Sequence, residues 1–338
     1  MISTKTLSAP KSSVFNVLIV GAGNIAGRLD EVRHAQYPIT HAGAFKSHNG
    51  FFVLGCVEPN LVRLSEFQSY WGIPHGFSCL NEALSCDDVY HLAVICSPTF
   101  MHHEHLKALH KSPVSMVFAE KPLTDNILTA RFICDLYRNG KPKLAVNFNR
   151  RWNLTIAELA KDIAKERYGE LISSYGIYTK GILNNGTHLL DLFDFLLGPL
   201  EAIRVTRWVN DWSNSDDPTL DAELRTRNGA PIYLIGGDSR CFFMFELTLI
   251  FEQAVISIEN GGSHMRVRPV GRCNIGLEDN SIAQGKIFKT LHEEQFILAV
   301  NNLYNALSHN EPLLSTAVNA LRAQELASTL IDYQKGNL

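Results

Sequence analysis

Between residues 14 and 149, short apolar runs alternate with segments whose apolar residues recur at helical spacing. In chain order the runs read VFNVLIV, FFVLGCV, VYHLAVIC, VSMVFAE and KLAVNF. Runs of this kind are typical of strands buried on both faces of a parallel sheet. Because segments such as 60–71 and 99–110 have helical periodicity, the sequence predicts a doubly wound α/β domain over residues 1–149.

The pattern changes after Arg151. A helical stretch extends to about residue 165, a strand lies near 171–179, and alternating strands follow over 201–270. Consecutive strands predict a mainly antiparallel sheet, with a hairpin that turns at Asn228-Gly229. We therefore predict a second α/β domain with an open sheet over 150–338, closed by helices within 286–334.

The composition limits the possible partners. A length of 338 residues with 46% hydrophobic residues allows two cores. A net charge of -3 without blocks of like charge argues against nucleic acid or an anionic membrane as a partner. Seven scattered cysteines without a CxxC pair suit reduced thiols, and no apolar run could span a bilayer. We expect a cytoplasmic protein that acts on a small molecule.

A glycine-rich turn follows the first apolar run, in VLIVGAGNIAG. Gly21 permits a tight turn, Gly23 allows the backbone to approach a pyrophosphate, and Ala26 is an accepted third residue of the dinucleotide fingerprint. The N–H groups of Asn24 and Ile25 then begin a helix that faces the phosphates. A strand-to-helix turn without a ligand would show the same glycines, so a second feature is needed.

Glu58 supplies that second feature at the end of FFVLGCV. A carboxylate there accepts hydrogen bonds from the ribose hydroxyls and repels a 2′-phosphate, which favours NAD over NADP. The spacing from Gly23 is 35 residues because DEVRHAQYPIT is inserted before a helix near His41. Arg63 lies close enough in sequence to serve a phosphate, and Glu58 could instead be a solvated loop acid.

Glu120, Lys121 and Pro122 stand at the end of the run VSMVFAE. The carboxyl ends of parallel strands face the ligand crevice, so Lys121 should point toward whatever the first domain binds. A lysine there can hydrogen-bond a substrate hydroxyl and stabilise the charge that develops as it loses its proton. The alternative is an ordinary solvated surface lysine.

In this order, the motifs VGAGNIAG, VEPN, ICSPTFMHHEHLKAL, AEKPL, FNRRW and GTHLLDLFDFLLG resemble the glucose-fructose oxidoreductase and inositol dehydrogenase (Gfo/Idh/MocA) family of nicotinamide-dependent oxidoreductases. The resemblance covers nearly the whole chain. It implies a Rossmann domain, an α/β domain whose open sheet often mediates oligomers, here a dimer or tetramer, and sugar or polyol chemistry at the cleft between them.

The resemblance also implies roles for single residues. Lys121 matches the catalytic lysine, and His188 matches the histidine that takes the hydroxyl proton, although His188 could instead simply cap its helix. Further positions match the cofactor side of the cleft: Cys96, Ser97, Pro98, Thr99, His102 and Glu120.

Asn184 departs from the pattern of the family, in which many dehydrogenases have aspartate four residues before the histidine. An amide can orient a hydroxyl or an imidazole but cannot raise the basicity of the histidine as a carboxylate would. Some members that oxidise nucleotide-linked sugars resemble this chain in having asparagine there, so Asn184 favours such a substrate or a slow, altered activity. A regulatory NAD-binding protein and a redox-neutral NAD-dependent enzyme remain alternatives.

Other polar residues have weaker assignments. Arg150 and Arg151 match an arginine pair at the domain junction, where they could bind a substrate carboxylate or phosphate, or form an interdomain ion pair. We expect Asp191 to orient the structure more than to catalyse. The histidines of MHHEHLKALH diverge on a helix, so no metal is predicted.

Overall fold

The computed structural model describes residues 14–33, 36–214, 216–272 and 280–336. Its N-terminal sheet has six parallel strands in the order 3-2-1-4-5-6, the doubly wound arrangement that the alternating runs predicted. The strands are β1 (Phe15–Val20), β2 (Phe51–Val57), β3 (His75–Phe77), β4 (Leu92–Ile95), β5 (Met116–Ala119) and β6 (Lys143–Val146). The sequence analysis did not identify β3.

Helices cover both faces of this sheet. They are α1 (Leu29–Val32), α2 (His41–Lys46), α3 (Leu61–Trp71), α4 (Leu80–Ser85), α5 (Thr99–His110) and α6 (Ile127–Leu136). One face packs on residues such as Val17 and Phe118, and the other on residues such as Leu18 and Val117. This strict alternation along a strand is expected of a sheet that is buried on both sides.

The inserted segment interrupts the helix that follows the glycine turn. A π-helical turn at Asn24–Arg28 continues into α1, which ends at Val32. The Asp30 carboxylate then accepts hydrogen bonds from the N–H groups of Ile39 and Thr40, and the Thr40 side chain caps the start of α2. The predicted helix start near His41 is confirmed.

A second sheet follows, with nine strands in the order 14-13-12-11-7-10-9-8 and β15 beside β13. All its pairs are antiparallel except β7 with β10, so the expected mainly antiparallel sheet is confirmed. The strands are β7 (Leu171–Tyr178), β8 (Leu200–Val209), β9 (Thr219–Thr226), β10 (Pro231–Gly236), β11 (Phe245–Phe251), β12 (Ala254–Glu259), β13 (His264–Arg272), β14 (Asn280–Ile282) and β15 (Lys286–Lys289). The hairpin of β9 and β10 turns at Gly229, whose φ is +89°.

Helices α7 (Leu154–Ala164) and α8 (Thr187–Leu197) pack on one face of this sheet. The C-terminal helices are α9 (Gln295–Ser308) and α10 (Ala317–Gln334). The predicted start of the helical region at 286 is wrong, because residues 286–289 form β15 along β13. All four residues, Lys-Ile-Phe-Lys, are exposed at the edge of the sheet, and helical periodicity begins only at Gln295.

The two C-terminal helices join the sheets. Phe296 and Leu303 of α9 lie in the core of the parallel sheet. Ala320 of α10 packs against the other face of that sheet, whereas Leu330 packs in the core of the second sheet. The division of the chain at residue 149 therefore stays a prediction, since the C-terminal helices contribute to both cores. No helix in the described ranges is long and apolar enough to cross a membrane.

Candidate functional site

The glycine turn lies at the carboxyl edge of the parallel sheet, beside the end of β4. Gly21 has a φ of +98°, and a Cβ there would lie 2.8 Å from the backbone nitrogen of Ser97. Only glycine therefore fits this position without strain. At Gly23 a Cβ would meet nothing within 4 Å, so the backbone borders open space. This asymmetry matches a turn that packs on one side and admits a ligand on the other.

Glu58 supports this turn from the end of β2. Its carboxylate is buried and accepts hydrogen bonds from the N–H groups of Ala22 and Asn60, both at 3.1 Å. Nη1 of Arg63 lies 3.9 Å from the same carboxylate. A carboxylate offers about four acceptor positions, so two backbone bonds leave Glu58 capacity for the hydroxyls of a ribose. The alternative of a solvated loop acid does not hold.

The turn of residues 96–99 follows β4, and His102 ties it to the next turn. The two ring nitrogens of His102 each lie 3.0 Å from a backbone carbonyl, that of Ser97 and that of Pro122. The hydroxyl of Ser97 contacts Nδ1 of His105 at 3.0 Å, and Pro98 precedes α5, which begins at Thr99. His102 therefore connects the cofactor-side turn to the turn that carries Lys121.

Glu120 is held from two sides. Its Oε1 lies 2.7 Å from Nε2 of His41 and accepts a hydrogen bond of 2.7 Å from Asn147. Burial raises the pKa of Glu120, but the contacts with His41 and Asn147 and the charge of Lys121 outweigh it and hold the pKa below its usual value. The fully buried ring of His41 meets Phe118 and Phe296 edge-on. An ionised Glu120 therefore lies beside Lys121.

Lys121 reaches from the first domain to the segment before α8. Its Nζ donates hydrogen bonds to the backbone oxygen of Asn184 at 2.6 Å and to the Asn184 side-chain oxygen at 3.1 Å. Burial lowers the pKa of Lys121, against the opposing charges of Glu120 and Asp217. Residues 63 positions apart in the chain thus meet at the edge of the parallel sheet.

Asp217 holds the backbone of Asn184 in position. Its carboxylate accepts hydrogen bonds from the N–H groups of Leu183 at 2.6 Å and Asn184 at 3.0 Å. Burial raises the pKa of Asp217 to about 6, although these two bonds and the charge of Lys121 lower it. The sequence analysis missed Asp217 because it lies in a loop, between Asp216 and Pro218, without a recognised motif.

His188 begins the first turn of α8 and packs edge-on against Phe148, with ring centroids 5.4 Å apart. Burial lowers its pKa well below 6.5, and the positive charges of Lys121 and Arg150 lower it further. The ring is therefore neutral at pH 7 and can accept a proton. The alternative role, capping the helix start, finds no support because no side chain caps this helix.

The two arginines of FNRRW have different environments. Arg151 is buried and binds Asp191, with Nε–O distances of 2.8 and 3.0 Å, and Asp194 at 3.1 Å. Arg151 therefore forms an ion pair, but with carboxylates that lie, like Arg151 itself, within residues 150–338, so the pair is not the predicted interdomain one. Asp191 has the structural role expected of it. Arg150 forms no ion pair among the described residues and stacks on Phe245 at 3.6 Å.

These turns together fit a dinucleotide. Gly21, Gly23 and Glu58 lie at neighbouring strand ends of the parallel sheet, the 96–99 turn and Glu120 lie on the next strand ends, and Asn24 is exposed at the start of the helical turn. Ile25 packs partly into the core. Within the described ranges, no group of three or more His, Cys, Asp and Glu side chains is placed to hold a metal ion.

Comparison with known proteins agrees with this geometry. A family model described as an oxidoreductase family with an NAD-binding Rossmann fold (GFO_IDH_MocA) matches residues 15–148. D-glucoside 3-dehydrogenase of Escherichia coli K12 is 27% identical over 204 residues, which are 55% of this chain and 52% of that protein. The chain thus spans about half the length of the curated relatives it matches.

Solved structures share the whole architecture. The WlbA dehydrogenase of Bordetella pertussis, in complex with NADH and UDP-GlcNAcA, superposes with a TM-score of 0.76 at 16% identity, over 96% of this chain and 98% of that one. KijD10, a 3-ketoreductase of Actinomadura kijaniata in complex with NADP, has a TM-score of 0.72 at 17% identity, over 94% and 97% of the two chains. At these identities the matches show the fold alone.

Proposed function

From the match of residues 15–148 to the family of oxidoreductases with an NAD-binding Rossmann fold, we propose that the protein is a Gfo/Idh/MocA-type dehydrogenase that interconverts a secondary hydroxyl and a ketone of a sugar. The observation that carries the proposal is the convergence of Lys121, Asn184 and His188 beside the dinucleotide turns. Such a group can bind a hydroxyl and take its proton, which is the acid–base part of alcohol oxidation.

Lys121 binds and polarises the reacting hydroxyl. Its ammonium group already donates to two oxygens of Asn184, so a substrate oxygen can replace one of these acceptors without stripping the ammonium of all partners. A positive charge at this point stabilises the oxygen as its proton leaves. Asn184 keeps Lys121 in place and offers an amide to a neighbouring hydroxyl.

His188 accepts the proton. A neutral imidazole is the competent form of a general base, and the lowered pKa of His188 keeps it neutral at physiological pH. The nearby charges of Lys121 and Arg150 oppose the imidazolium that forms, so the proton should pass onward readily. A bound nicotinamide ring supplies the hydride acceptor or donor for the same carbon.

We propose NAD rather than NADP as the cofactor. The buried Glu58 carboxylate lies at the position where a 2′-phosphate would bring a second negative charge. Arg63 does not reverse this preference, because its Nη1 already lies 3.9 Å from Glu58. A ratio of kcat/KM that favours NADP would contradict the assignment.

We propose a nucleotide-linked sugar as the substrate. Asn184, in place of aspartate, supports this choice, and so does the bound UDP-GlcNAcA of the structurally similar WlbA.

We also propose that the protein forms a homo-oligomer through the open face of the second sheet. Tyr175 and Tyr233 are neighbours on that face and are 37% and 44% exposed. Apolar residues exposed on one sheet face indicate a contact surface.

The test is NADH formation by the purified protein with NAD, across free sugars, polyols and UDP- or GDP-linked sugars. We expect a signal confined to nucleotide sugars. Silence across the panel, with NAD binding shown separately, would favour a regulatory protein. Retention of cofactor without net NADH release would favour a redox-neutral enzyme.

Variants then test the assigned residues. Lys121→Ala and His188→Ala should each reduce turnover by at least about a hundredfold, the contribution typical of a positioned acid–base group. The affinity for NAD, measured by tryptophan fluorescence, should stay within about threefold of that of the wild type. Both substitutions remove a side chain on the substrate side of the cleft and leave the glycine turn that binds the phosphates intact. Lys111→Ala, at an exposed lysine, is the matched control. Turnover like that of the wild type in either variant would refute the assignment.

A further inference from the structure

Arg150 is a buried cation without a carboxylate of its own. It is 8% exposed, and the charge that raises its pKa comes from Asp191, which is already bound to Arg151. Its hydrogen bonds within the described ranges are one to the Gly261 carbonyl at 3.1 Å and one of 3.4 Å to the Asn149 side chain. The buried Nε has no partner there. Most N–H groups of this guanidinium therefore remain unused.

Apart from Asp191, which is bound to Arg151, the titratable groups that interact with the charge of Arg150 are lysine and histidine side chains. Burial lowers the pKa of Arg150 to about 9. The positive charge of Arg150 in turn lowers the pKa values of His188, Lys121 and His292, so these groups lie close enough to interact with it electrostatically. Burial, followed by this charge, lowers the pKa of His292 to about 4, which leaves a neutral ring at pH 7. Within the described ranges, Arg150 therefore has no carboxylate in direct contact with it.

The loop Asn260–Gly262 leaves space beside the cluster. Gly262 has a φ of +102°, and a Cβ there would lie 3.4 Å from Nε of Arg150 and 3.5 Å from Nδ1 of His292. The two side chains thus border the same small space, which glycine keeps free of a side chain. Thr290 holds the loop by donating its hydroxyl to the Gly262 carbonyl at 2.6 Å.

We propose that Arg150 and His292 bind a carboxylate of the substrate, so that the sugar oxidised beside Lys121 and His188 is a sugar acid. This inference rests on the proposed dehydrogenase function and adds the substrate class. Guanidinium binds carboxylate through two parallel hydrogen bonds, and burial strengthens such a charge-assisted pair. A neutral hydroxymethyl group in the same place would leave the charge of Arg150 unpaired.

The test compares matched pairs of sugars that differ only in the carboxylate. Calorimetric titration of the protein saturated with NAD uses UDP-glucuronate against UDP-glucose, and UDP-galacturonate against UDP-galactose. The free acids and UDP alone are further probes. We expect the acid of at least one pair to bind about 10- to 100-fold more tightly than its neutral partner, the range of one charged hydrogen-bonded pair. Turnover is recorded separately.

Variants locate the effect. Arg150→Gln should reduce the acid preference to within about threefold, whereas Arg240→Gln, at an exposed arginine, should keep it. Thermal unfolding followed by circular dichroism shows whether Arg150→Gln is folded. If this variant does not fold, the affinities of the wild-type protein for the acid and neutral sugars still test the proposal. Equal affinity for both members of every pair, no binding of either, or a preference that survives in Arg150→Gln would overturn the proposal.

Two outcomes distinguish this inference from the proposed function. Turnover of acid and neutral sugars with equal kcat/KM would leave a dehydrogenase and overturn the carboxylate site. Selective binding of the acid without turnover would support the carboxylate site and refute the dehydrogenase.

A further outcome concerns the diphosphate. If UDP alone binds as tightly as the UDP-sugar acids and loses affinity in Arg150→Gln, the arginine binds the diphosphate, which also overturns the proposal.

Discussion

Replacing Asp217 by asparagine should make the stability of the protein less sensitive to pH. The carboxylate of Asp217 is 2% exposed and holds the segment that contacts Lys121 through the N–H groups of Leu183 and Asn184. Burial raises its pKa from 3.8 to about 6. The folded state therefore binds the Asp217 proton more tightly than the unfolded state does.

The raised pKa of Asp217 determines both the direction and the size of the change in stability with pH. A raised pKa in the folded state contributes stability that is fully present below pH 3.8 and is lost as the pH rises through about 6. A shift of about two units corresponds to about 3 kcal/mol in total, of which about 2 kcal/mol is lost between about pH 4.5 and 7.5. Asparagine does not titrate, so the variant lacks this loss.

Urea unfolding of the wild type and of Asp217→Asn at about pH 4.5 and 7.5 measures the effect. The variant should be less stable overall, because one of the two backbone N–H groups then faces an amide NH₂. However, its deficit should be about 2 kcal/mol smaller at the higher pH. Asp216→Asn, at the exposed neighbouring residue, should show no such change. A deficit that is equal at both pH values, or larger at the higher one, would refute the reasoning.

Three further predictions concern the turn, the ion pair and the sheet face. Gly21→Ala should lower the free energy of unfolding by at least about 1 kcal/mol, because its Cβ would lie 2.8 Å from the Ser97 nitrogen; Gly23→Ala should unfold like the wild type yet bind NAD more weakly, and equal stability of the two variants would contradict this. Arg151→Ala should cost about 3–5 kcal/mol in urea unfolding, because it leaves the buried Asp191 carboxylate without its ion-pair partner; Arg322→Ala, at a half-exposed arginine 3.8 Å from Asp194, is the control and should stay within about 0.5 kcal/mol of the wild type. Tyr233→Glu should reduce the oligomer mass measured by light scattering if the open sheet face mediates assembly, and an unchanged mass would exclude that face.

Local patterns in the sequence were sufficient for most of the fold. The apolar runs at β1 and β2 and the helical segments at α3 and α5 were found nearly to the residue, because burial on both faces requires continuous apolar sequence. The short strand β3 was missed because its three residues, His-Gly-Phe, have no strand pattern. The edge strand β15 was taken for the start of a helix for the same reason.

The candidate site was only partly predictable. Glycines, Glu58 and Lys121 follow strand ends, and the carboxyl ends of parallel strands meet at one edge, so their proximity could be inferred. His41, Asp217 and His292 carry no such signal. His41 reaches Glu120 across 79 residues, and Asp217 reaches Asn184 across 33, through contacts that only the packed domains create.

The sequence by itself determined the two sheets, the dinucleotide turn and the identity of the groups that could move a proton, because these depend on periodicity and on residues adjacent in the chain. Only the tertiary structure decided which arginine of FNRRW is paired and which is not. Arg150 and Arg151 are adjacent and have the same side chain, so the local sequence pattern cannot distinguish their roles. Their roles differ because α8 brings Asp191 and Asp194 to Arg151, whereas the loop at Gly261 offers Arg150 only a carbonyl oxygen.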